Sequence, residues 1–389
     1  MNPASAPSLG LYIHVPFCQA KCAYCDFASV AGRAELFAGY TAAVCDELRR
    51  RPGLLAGDAG RSFSVETLYI GGGTPSILPA PLMQTILQTV RAAYPLPADA
   101  EITVEVNPGA TDAAGLTALR DAGVNRLSVG VQSFDDAELH LLGRIHDRRR
   151  ARETLEAARR AGFDNLNLDL IFGLPGQNMA VWEASLTTAL DVGPEHLSLY
   201  ALTVEEHTPL ARRIAAGALP PPDEDLAADM YLRASELLAS AGYAQYEISN
   251  WAKPGRAARH NLATWRNGDY LGFGPAAHSH LSRRRWWNVA DPQDYIARMV
   301  AGVSPMDGEE QLDRSADMAE TMLLGLRLVR EGVEIGRFMA IYGETPAQVY
   351  GPIFERLVGR GLLELTAERI RLTPAGRLLG NQVFMEFLP

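Results

Sequence analysis

The chain has 389 residues, 47% hydrophobic and 21% charged, the balance of a soluble globular protein with one large domain plus a small one, or two ordinary domains. The same composition excludes long disorder. A net charge of −10 argues against a phosphate-binding surface over the whole molecule and leaves room only for a local basic patch.

The opening residues, MNPASAPSLG, carry neither a basic n-region nor an apolar h-region, and nowhere do about eighteen apolar residues run uninterrupted. Neither export nor a membrane span is indicated, so a cytoplasmic location is expected, where thiols stay reduced and available to metal.

Leu11 to Val15 is an extended apolar run, and directly after it Cys18, Cys22 and Cys25 stand in the spacing C-x3-C-x2-C. A cubane iron–sulfur cluster normally takes four cysteine thiolates, one per iron. Three leave one iron open to a further ligand. The competing accounts fit less well. Three cysteines cannot pair among themselves, and structural zinc draws on two separated ligand pairs, whereas no second CxxC or HxxxH follows. The remaining cysteine, Cys45, falls beside the apolar stripe Leu36, Phe37, Tyr40, Val44 and Leu48 of a predicted helix, where it reads as a small hydrophobe.

From Val65 a pattern of short β-branched or aromatic runs, each followed by a turn and a helical stretch, repeats to about residue 202. The runs Val65–Ile70, Glu101–Val106, Arg126–Val131, Asn165–Ile171 and His196–Leu202, with Leu11–Val15 before them, predict six parallel strands. Periodicity alone does not separate a partial barrel from a doubly wound sheet. In either, chemistry belongs at the carboxyl ends of the strands. Those ends carry Gly71-Gly72-Gly73-Thr74-Pro75, Glu105, Gln132 and Asp169, which together form a polar ring at one end of the sheet. Each of these residues alone is explained as a cap or turn former.

Pro220-Pro221-Pro222-Asp223 caps a helix running to about Ala241, after which come His260-Asn261-Leu262-Ala263-Thr264-Trp265 and Arg283-Arg284-Arg285-Trp286-Trp287. The arginines are either a solvated charge run or a binding site for anionic groups, with the tryptophans able to stack on a planar ligand. From Asp313 a helix, a second helix opened by Thr345-Pro346, a hairpin over Gly361–Leu372 and a last helix from Pro374 make a winged-helix pattern. Its would-be recognition helix offers Arg356 beside Glu355 and no basic face, so nucleic acid is not expected as a partner.

Tyr12-Ile13-His14-Val15-Pro16-Phe17-Cys18, with Cys22 and Cys25, resembles the radical S-adenosylmethionine (SAM) superfamily. More narrowly, it is similar to the oxygen-independent coproporphyrinogen III oxidases and their heme-chaperone relatives. The resemblance covers nearly the whole chain. It implies an α/β fold, a partial (β/α)6 barrel with a small C-terminal winged-helix-like α+β domain that covers the barrel. It also implies a [4Fe-4S] cluster on Cys18, Cys22 and Cys25, whose open iron SAM chelates through its amino and carboxylate groups. The family's SAM-contacting positions match Tyr12, Tyr24, Gly72, Gly73, Thr74, Glu105, Gln132, Arg144 and Asp169 here, and Ala201 after a short gap. Whether a second SAM binds stays open. The expected division is a barrel over 1–242, a connecting segment over 243–312 and the C-terminal domain over 313–389.

Two branches imply different functions. The decarboxylases carry a further cysteine where Phe27 stands, and a long N-terminal extension, whereas seventeen residues precede Cys18 here. The stretch His260–Trp265 resembles the heme-chaperone branch's HNxxYW motif, with Thr264 in place of its tyrosine, and implies His260 as a heme ligand. The expectation is therefore a heme chaperone that delivers heme to an acceptor protein. The alternative is a radical SAM enzyme acting on a porphyrinogen, or a methyltransferase of the same group. SAM cleavage would require an electron donor. A DNA-binding redox regulator is a third reading, resting on the winged helix.

Overall fold

The computed structural model describes residues 8–55 and 63–388; the opening residues 1–7, read above for export signals, lie outside these. The first strand, β1 (Ser8–Val15), runs to the cysteine segment, which is bracketed by a short parallel pair, β2 (Phe17–Cys18) and β3 (Val30–Ala31). Five parallel strands follow: β4 (Ser64–Gly72), β5 (Glu101–Val106), β6 (Arg126–Gln132), β7 (Leu166–Phe172) and β8 (His196–Ala201). The six runs read from the sequence are these strands, and each chain crossover holds helix.

Alternation decides which way each strand faces. Leu11, Ile13 and Val15 of β1, Leu127, Val129 and Val131 of β6, and Leu166, Leu168 and Leu170 of β7 are fully buried in one continuous apolar cluster shared with the surrounding helices. Burying each such side chain stabilises the fold by about 1.5–3 kcal/mol. The alternate positions, among them Glu105, Arg126, Ser128, Asn167 and Asp169, face inward and are polar. The crossover helices begin where an Asp or Asn side chain accepts a backbone N–H of the first turn: Asp112 from Gly115, Asp135 from Ala137 and Glu138, Asp147 from Arg150, Asn178 from Val181 and Asp223 from Leu226. Each such cap contributes about 1 kcal/mol.

Residues 243–312, expected as a connecting segment, instead continue the sheet at both edges. β9 (Ala244–Glu247) and β10 (Asn250–Ala252) add antiparallel strands beyond β8, while β11 (Asp269–Phe273) pairs in parallel with β1. Antiparallel strands β12 (His278–Leu281), β13 (Arg284–Asn288) and β14 (Met306–Gln311) lie outside it. The result is one open twelve-stranded sheet, in the order β14-β13-β12-β11-β1-β4-β5-β6-β7-β8-β10-β9, whose parallel centre is the partial barrel. The added strands are three to six residues long, too short for a sustained period-two pattern to mark them in the sequence.

One buried carboxylate ties this extension to the barrel. Glu47, on the helix Phe37–Leu55, accepts from the Gly274 N–H (2.9 Å), Asn288 Nδ2 (3.0 Å) and the Tyr295 hydroxyl (2.7 Å), and pairs with Arg51. The same helix buries Cys45 against its neighbour, with Sγ turned to the Thr85 carbonyl and away from the cysteine loop.

The C-terminal domain has its own apolar core, running from Met318 to Phe387. It contains the helix Arg314–Leu326, β15 (Val333–Glu334), the helices Ile335–Tyr342 and Pro346–Gly359, β16 (Leu363–Leu365), β17 (Arg369–Leu372) and two short final helices. The helix Ile335–Tyr342 was not legible in the sequence pattern. The domain docks through main-chain bonds, Ile248 N–H to Arg327 O (3.1 Å) and Val329 N–H to Tyr246 O (3.1 Å), and through the two-pronged pairs Arg266–Glu331 and Arg285–Glu320. Arg356 of the would-be recognition helix is paired with Glu386 (2.7 Å). Among the described residues no helix is long and apolar enough to cross a membrane.

Replacing Glu47 by Ala leaves Arg51 and three donors buried without their acceptor. Thermal or urea unfolding of Glu47→Ala is expected to show a loss of about 3–5 kcal/mol, against less than 1 kcal/mol for a cut of the exposed Arg149–Glu153 pair.

Candidate functional site

The cysteine loop is held at three places by groups from outside it. The Val30 N–H donates to Pro16 O (2.7 Å), the Ala23 N–H to Leu142 O (2.9 Å), and the Leu210 N–H to Ala23 O (2.8 Å). His14 adds a fourth hold. Burial keeps its imidazole neutral. The Ala28 carbonyl can only accept, so Nε2 carries the proton toward it (2.8 Å), and Nδ1 accepts from the Tyr12 hydroxyl (3.0 Å). Tyr12 therefore acts on the loop through His14 and does not itself line the cavity.

Of the residues singled out in the sequence, Cys18, Cys22, Cys25, Tyr24, Gly72, Gly73, Thr74, Glu105, Gln132, Arg144, Asp169 and Ala201 line one cavity, with roughly 1720 Å3 of empty space including its open mouth. The glycines are needed sterically. A Cβ on Gly73 would stand 2.6 Å from Phe17 O and 3.0 Å from Cys18 Sγ, and Gly72 has φ +114° with a Cβ position 2.7 Å from the His14 ring.

A run of side-chain hydrogen bonds joins two of the thiols. The Thr74 hydroxyl donates to Cys18 Sγ (3.7 Å) and accepts from Asn107 Nδ2 (2.7 Å). Arg144 donates to Asn107 Oδ1 (2.7 Å), to Gly130 O (2.8 Å) and, through Nη1, to Cys22 Sγ (3.3 Å). Arg144 follows the helix Asp136–Leu141, and its Nε is buried without a partner. A guanidinium inserted among thiols, with a donor to spare, suits an anionic group between them.

The inner wall is more titratable. Glu105 accepts from the Tyr69 hydroxyl (2.8 Å) and the Gly72 N–H (3.0 Å), and burial pushes its carboxyl up to about 7. Asp169 accepts from Asn167 Nδ2 (2.8 Å) and the Ser128 hydroxyl (3.2 Å), and burial raises it too. Gln132, at a bulge in β6, sits at φ +69°, a strained setting for a residue with a side chain. Burial pushes the Cys25 thiol up, a shift that bound metal would reverse.

Three thiols line one cavity with a guanidinium beside one of them, a donor set whose chemistry fits an iron–sulfur cluster. A cubane takes each thiolate on a different iron, so its ligands stand apart around a shared space. The geometry offers three thiolates, a neighbouring cation and glycine backbone at close approach.

His260 lies off the cavity wall. It begins the helix Arg259–Trp265, and its N–H and that of Arg259 donate to the buried Glu101 carboxylate (3.0 and 2.9 Å) at the start of β5. Nδ1 meets the Thr67 hydroxyl (2.8 Å) and the ring stacks on Tyr69 with centroids 5.3 Å apart. Its Nε2 has no hydrogen bond among the described residues, and burial holds the ring neutral, with its pKa lowered to about 4. The arginine run is largely engaged elsewhere: Arg284 pairs with Glu309 (2.5 Å), Arg285 with Glu320 (2.7 Å), and Trp286 is buried.

Tyr69, Arg126, Ser128, Asn167 and Ser198 also line the cavity and were not singled out in the sequence. The available signal was the alternation itself, since a polar residue between two buried aliphatic ones in a central strand must face an interior.

The family model described as the Radical SAM superfamily matches residues 12–189, and that described as the HemN C-terminal domain matches residues 312–379. Heme chaperone HemW of Mycobacterium tuberculosis (strain H37Rv) is 37% identical over 100% of this chain and 97% of its own length. Heme chaperone HemW of Escherichia coli K12 is 37% identical over 98% of each chain. A mouse protein named radical S-adenosyl methionine domain-containing protein 1, mitochondrial, is 41% identical over 100% of this chain and 89% of its own. Among solved structures, coproporphyrinogen III oxidase of Escherichia coli, a radical SAM enzyme, superposes with a TM-score of 0.84 at 25% identity, covering 98% of this chain and 90% of that one. The chain belongs to the radical SAM superfamily and, within it, to the family whose members are named heme chaperone HemW.

Proposed function

We propose that this protein is a heme chaperone, holding a [4Fe-4S] cluster on Cys18, Cys22 and Cys25 and SAM in the adjoining cavity, and passing heme to an acceptor protein from a cytoplasmic location. The cluster and SAM go with the superfamily. The heme and its acceptor extend to this chain what its relatives' names state. The observation that carries the reading is the hydrogen-bonded run from Cys18 through Thr74, Asn107 and Arg144 to Cys22, set at the mouth of a cavity whose inner wall bears Glu105 and Asp169.

In this reading each protein group has a task. Arg144 balances the negative charge of the thiolates, and the backbone of Gly72 and Gly73 approaches the methionine end of SAM. The Glu105 carboxylate attracts a cationic group, and Asp169 accepts from hydroxyls. The bound pair supplies one-electron chemistry at the sulfonium when an electron donor is present. Phe27 and Tyr200 line the cavity and are exposed, apolar surface of the kind a planar macrocycle covers. For the iron of the cargo, His260 offers a neutral imidazole whose Nδ1 is engaged by Thr67, leaving Nε2 to ligate.

The superposition on coproporphyrinogen III oxidase favours a second reading, an enzyme acting on a porphyrinogen. Decarboxylation of coproporphyrinogen III by the reconstituted protein selects it; absence of turnover with retained heme binding selects the chaperone.

Cys18→Ala, Cys22→Ala and Cys25→Ala are each expected to abolish the brown iron–sulfur absorbance after anaerobic reconstitution, and Cys45→Ala to keep it; equal loss in Cys45→Ala contradicts the ligand set. Glu105 binds a cation only as its carboxylate, so SAM affinity is expected to weaken as pH falls through about 7, which calorimetry at several pH values measures. Glu105→Gln should bind SAM about tenfold more weakly and without that pH dependence. A buried acid with a raised pKa costs stability once pH exceeds its unfolded value, so at pH 8 ligand-free Glu105→Gln should unfold up to about 3 kcal/mol harder than wild type. Anaerobic hemin titration should give saturable, stoichiometric Soret changes that His260→Ala loses; equal titrations assign the iron to another ligand such as His278.

A further inference from the structure

Arg126 opens β6 and shares its inward face with Ser128, Gly130 and Gln132. It lines the same cavity as the cysteines, yet its side chain is among the most deeply buried in the protein, with the residue 1% exposed. Nε and Nη2 have no hydrogen-bond partner. Arginine stays protonated, so an ordered buried guanidinium without acceptors carries an unmet cost that native proteins seldom leave standing.

The neighbouring polar groups hydrogen-bond one another and not the guanidinium. Asn167 Nδ2 donates to Ser128 Oγ (2.7 Å) and to Asp169 Oδ1 (2.8 Å), and Ser128 donates to Asp169 Oδ2 (3.2 Å). Asn167 Oδ1 takes Ser198 Oγ (3.1 Å) and His196 Nδ1 (2.6 Å), and the other His196 nitrogen meets the Tyr246 hydroxyl (2.8 Å). Arg126 makes no hydrogen bond to this network, although its charge favours the Asp169 carboxylate.

We propose that Arg126 receives a carboxylate at the inner end of the cavity, namely a propionate of a bound tetrapyrrole. A single planar fork with Asp169 nearby suits a monoanion and not a phosphate. The SAM carboxylate is expected at the cysteine end, and β6 separates Arg126 from Gln132 by six residues, roughly 20 Å of strand. Glu101, which anchors His260, begins the adjacent strand, so the unpartnered guanidinium and the unpartnered imidazole nitrogen belong to the same end of the barrel. The tetrapyrrole as ligand rests on the heme-chaperone reading; the carboxylate site itself does not.

The test uses the full chain, reconstituted anaerobically, with hemin and hemin dimethyl ester as probes. Wild type is expected to bind hemin about tenfold or more tighter than the diester. Arg126→Met should weaken hemin alone and erase that preference, while Arg126→Lys keeps part of it. Equal affinity for hemin and diester, with sodium propionate raising the melting temperature of wild type but not of Arg126→Met, supports the site with a free carboxylate as its ligand. Absence of saturable hemin binding with that propionate shift intact sinks the heme-chaperone reading and supports the site. No hemin preference together with no propionate effect overturns the proposal, as does an Arg126→Met that still discriminates hemin from its diester.

Discussion

The site depends on one run of hydrogen bonds, from Cys18 through Thr74, Asn107 and Arg144 to Cys22. Cys18 and Cys22 lie on one segment, but the bonds between them pass through residues that follow β4, β5 and the helix Asp136–Leu141, the last of these held to β6 at Gly130 O. A loop of this length has no hydrophobic core with which to fix its own shape, so the strand ends must fix it. The geometry of the thiols is thus a property of the barrel, and of the glycines that let β4 come within contact of Phe17 and Cys18.

The inward face of the barrel sets function against stability. Arg126 is an ionisable group held out of water, and Glu105 and Asp169 line the same cavity with their carboxyls pushed up by desolvation. Aliphatic residues at these positions would continue the pattern of the outward face and stabilise the fold further. A polar interior offsets part of the apolar burial around it, and its use is to bind a ligand with charges of its own. The extra strands and the C-terminal domain complete the frame. Both edges of the parallel centre are paired, and the main-chain bonds from Ile248 and Val329 tie the last domain to the β9–β10 edge.

Legibility followed periodicity. The six parallel strands stood out because Val, Ile and Leu recur at every second position over six to nine residues, with turns between them. The strands over 244–311 escaped notice because they are short; β13, Arg-Arg-Trp-Trp-Asn, reads as a charged loop until Glu309 and Glu320 are seen opposite it. Arg144 reads from spacing alone as a surface arginine, and only the fold brings it to Cys22. Arg126 was passed over for the opposite reason: it sits at the start of a strand, where an arginine looks like an edge residue, and only the fold shows it buried. Tyr12 and His260 matched a motif, yet their positions off the cavity wall depend on His14, Thr67 and Tyr69, which no motif specifies.

The central claim is that three thiolates leave one iron of a cluster open to SAM in this cavity. Electron paramagnetic resonance of the reduced, reconstituted protein, before and after addition of SAM labelled with 15N at its amino group, tests it most directly. The account predicts that SAM shifts the cluster signal and that nitrogen hyperfine coupling from the label shows in the electron–nuclear double-resonance spectrum. A cluster signal unchanged by SAM, with no coupling to the label, would contradict it.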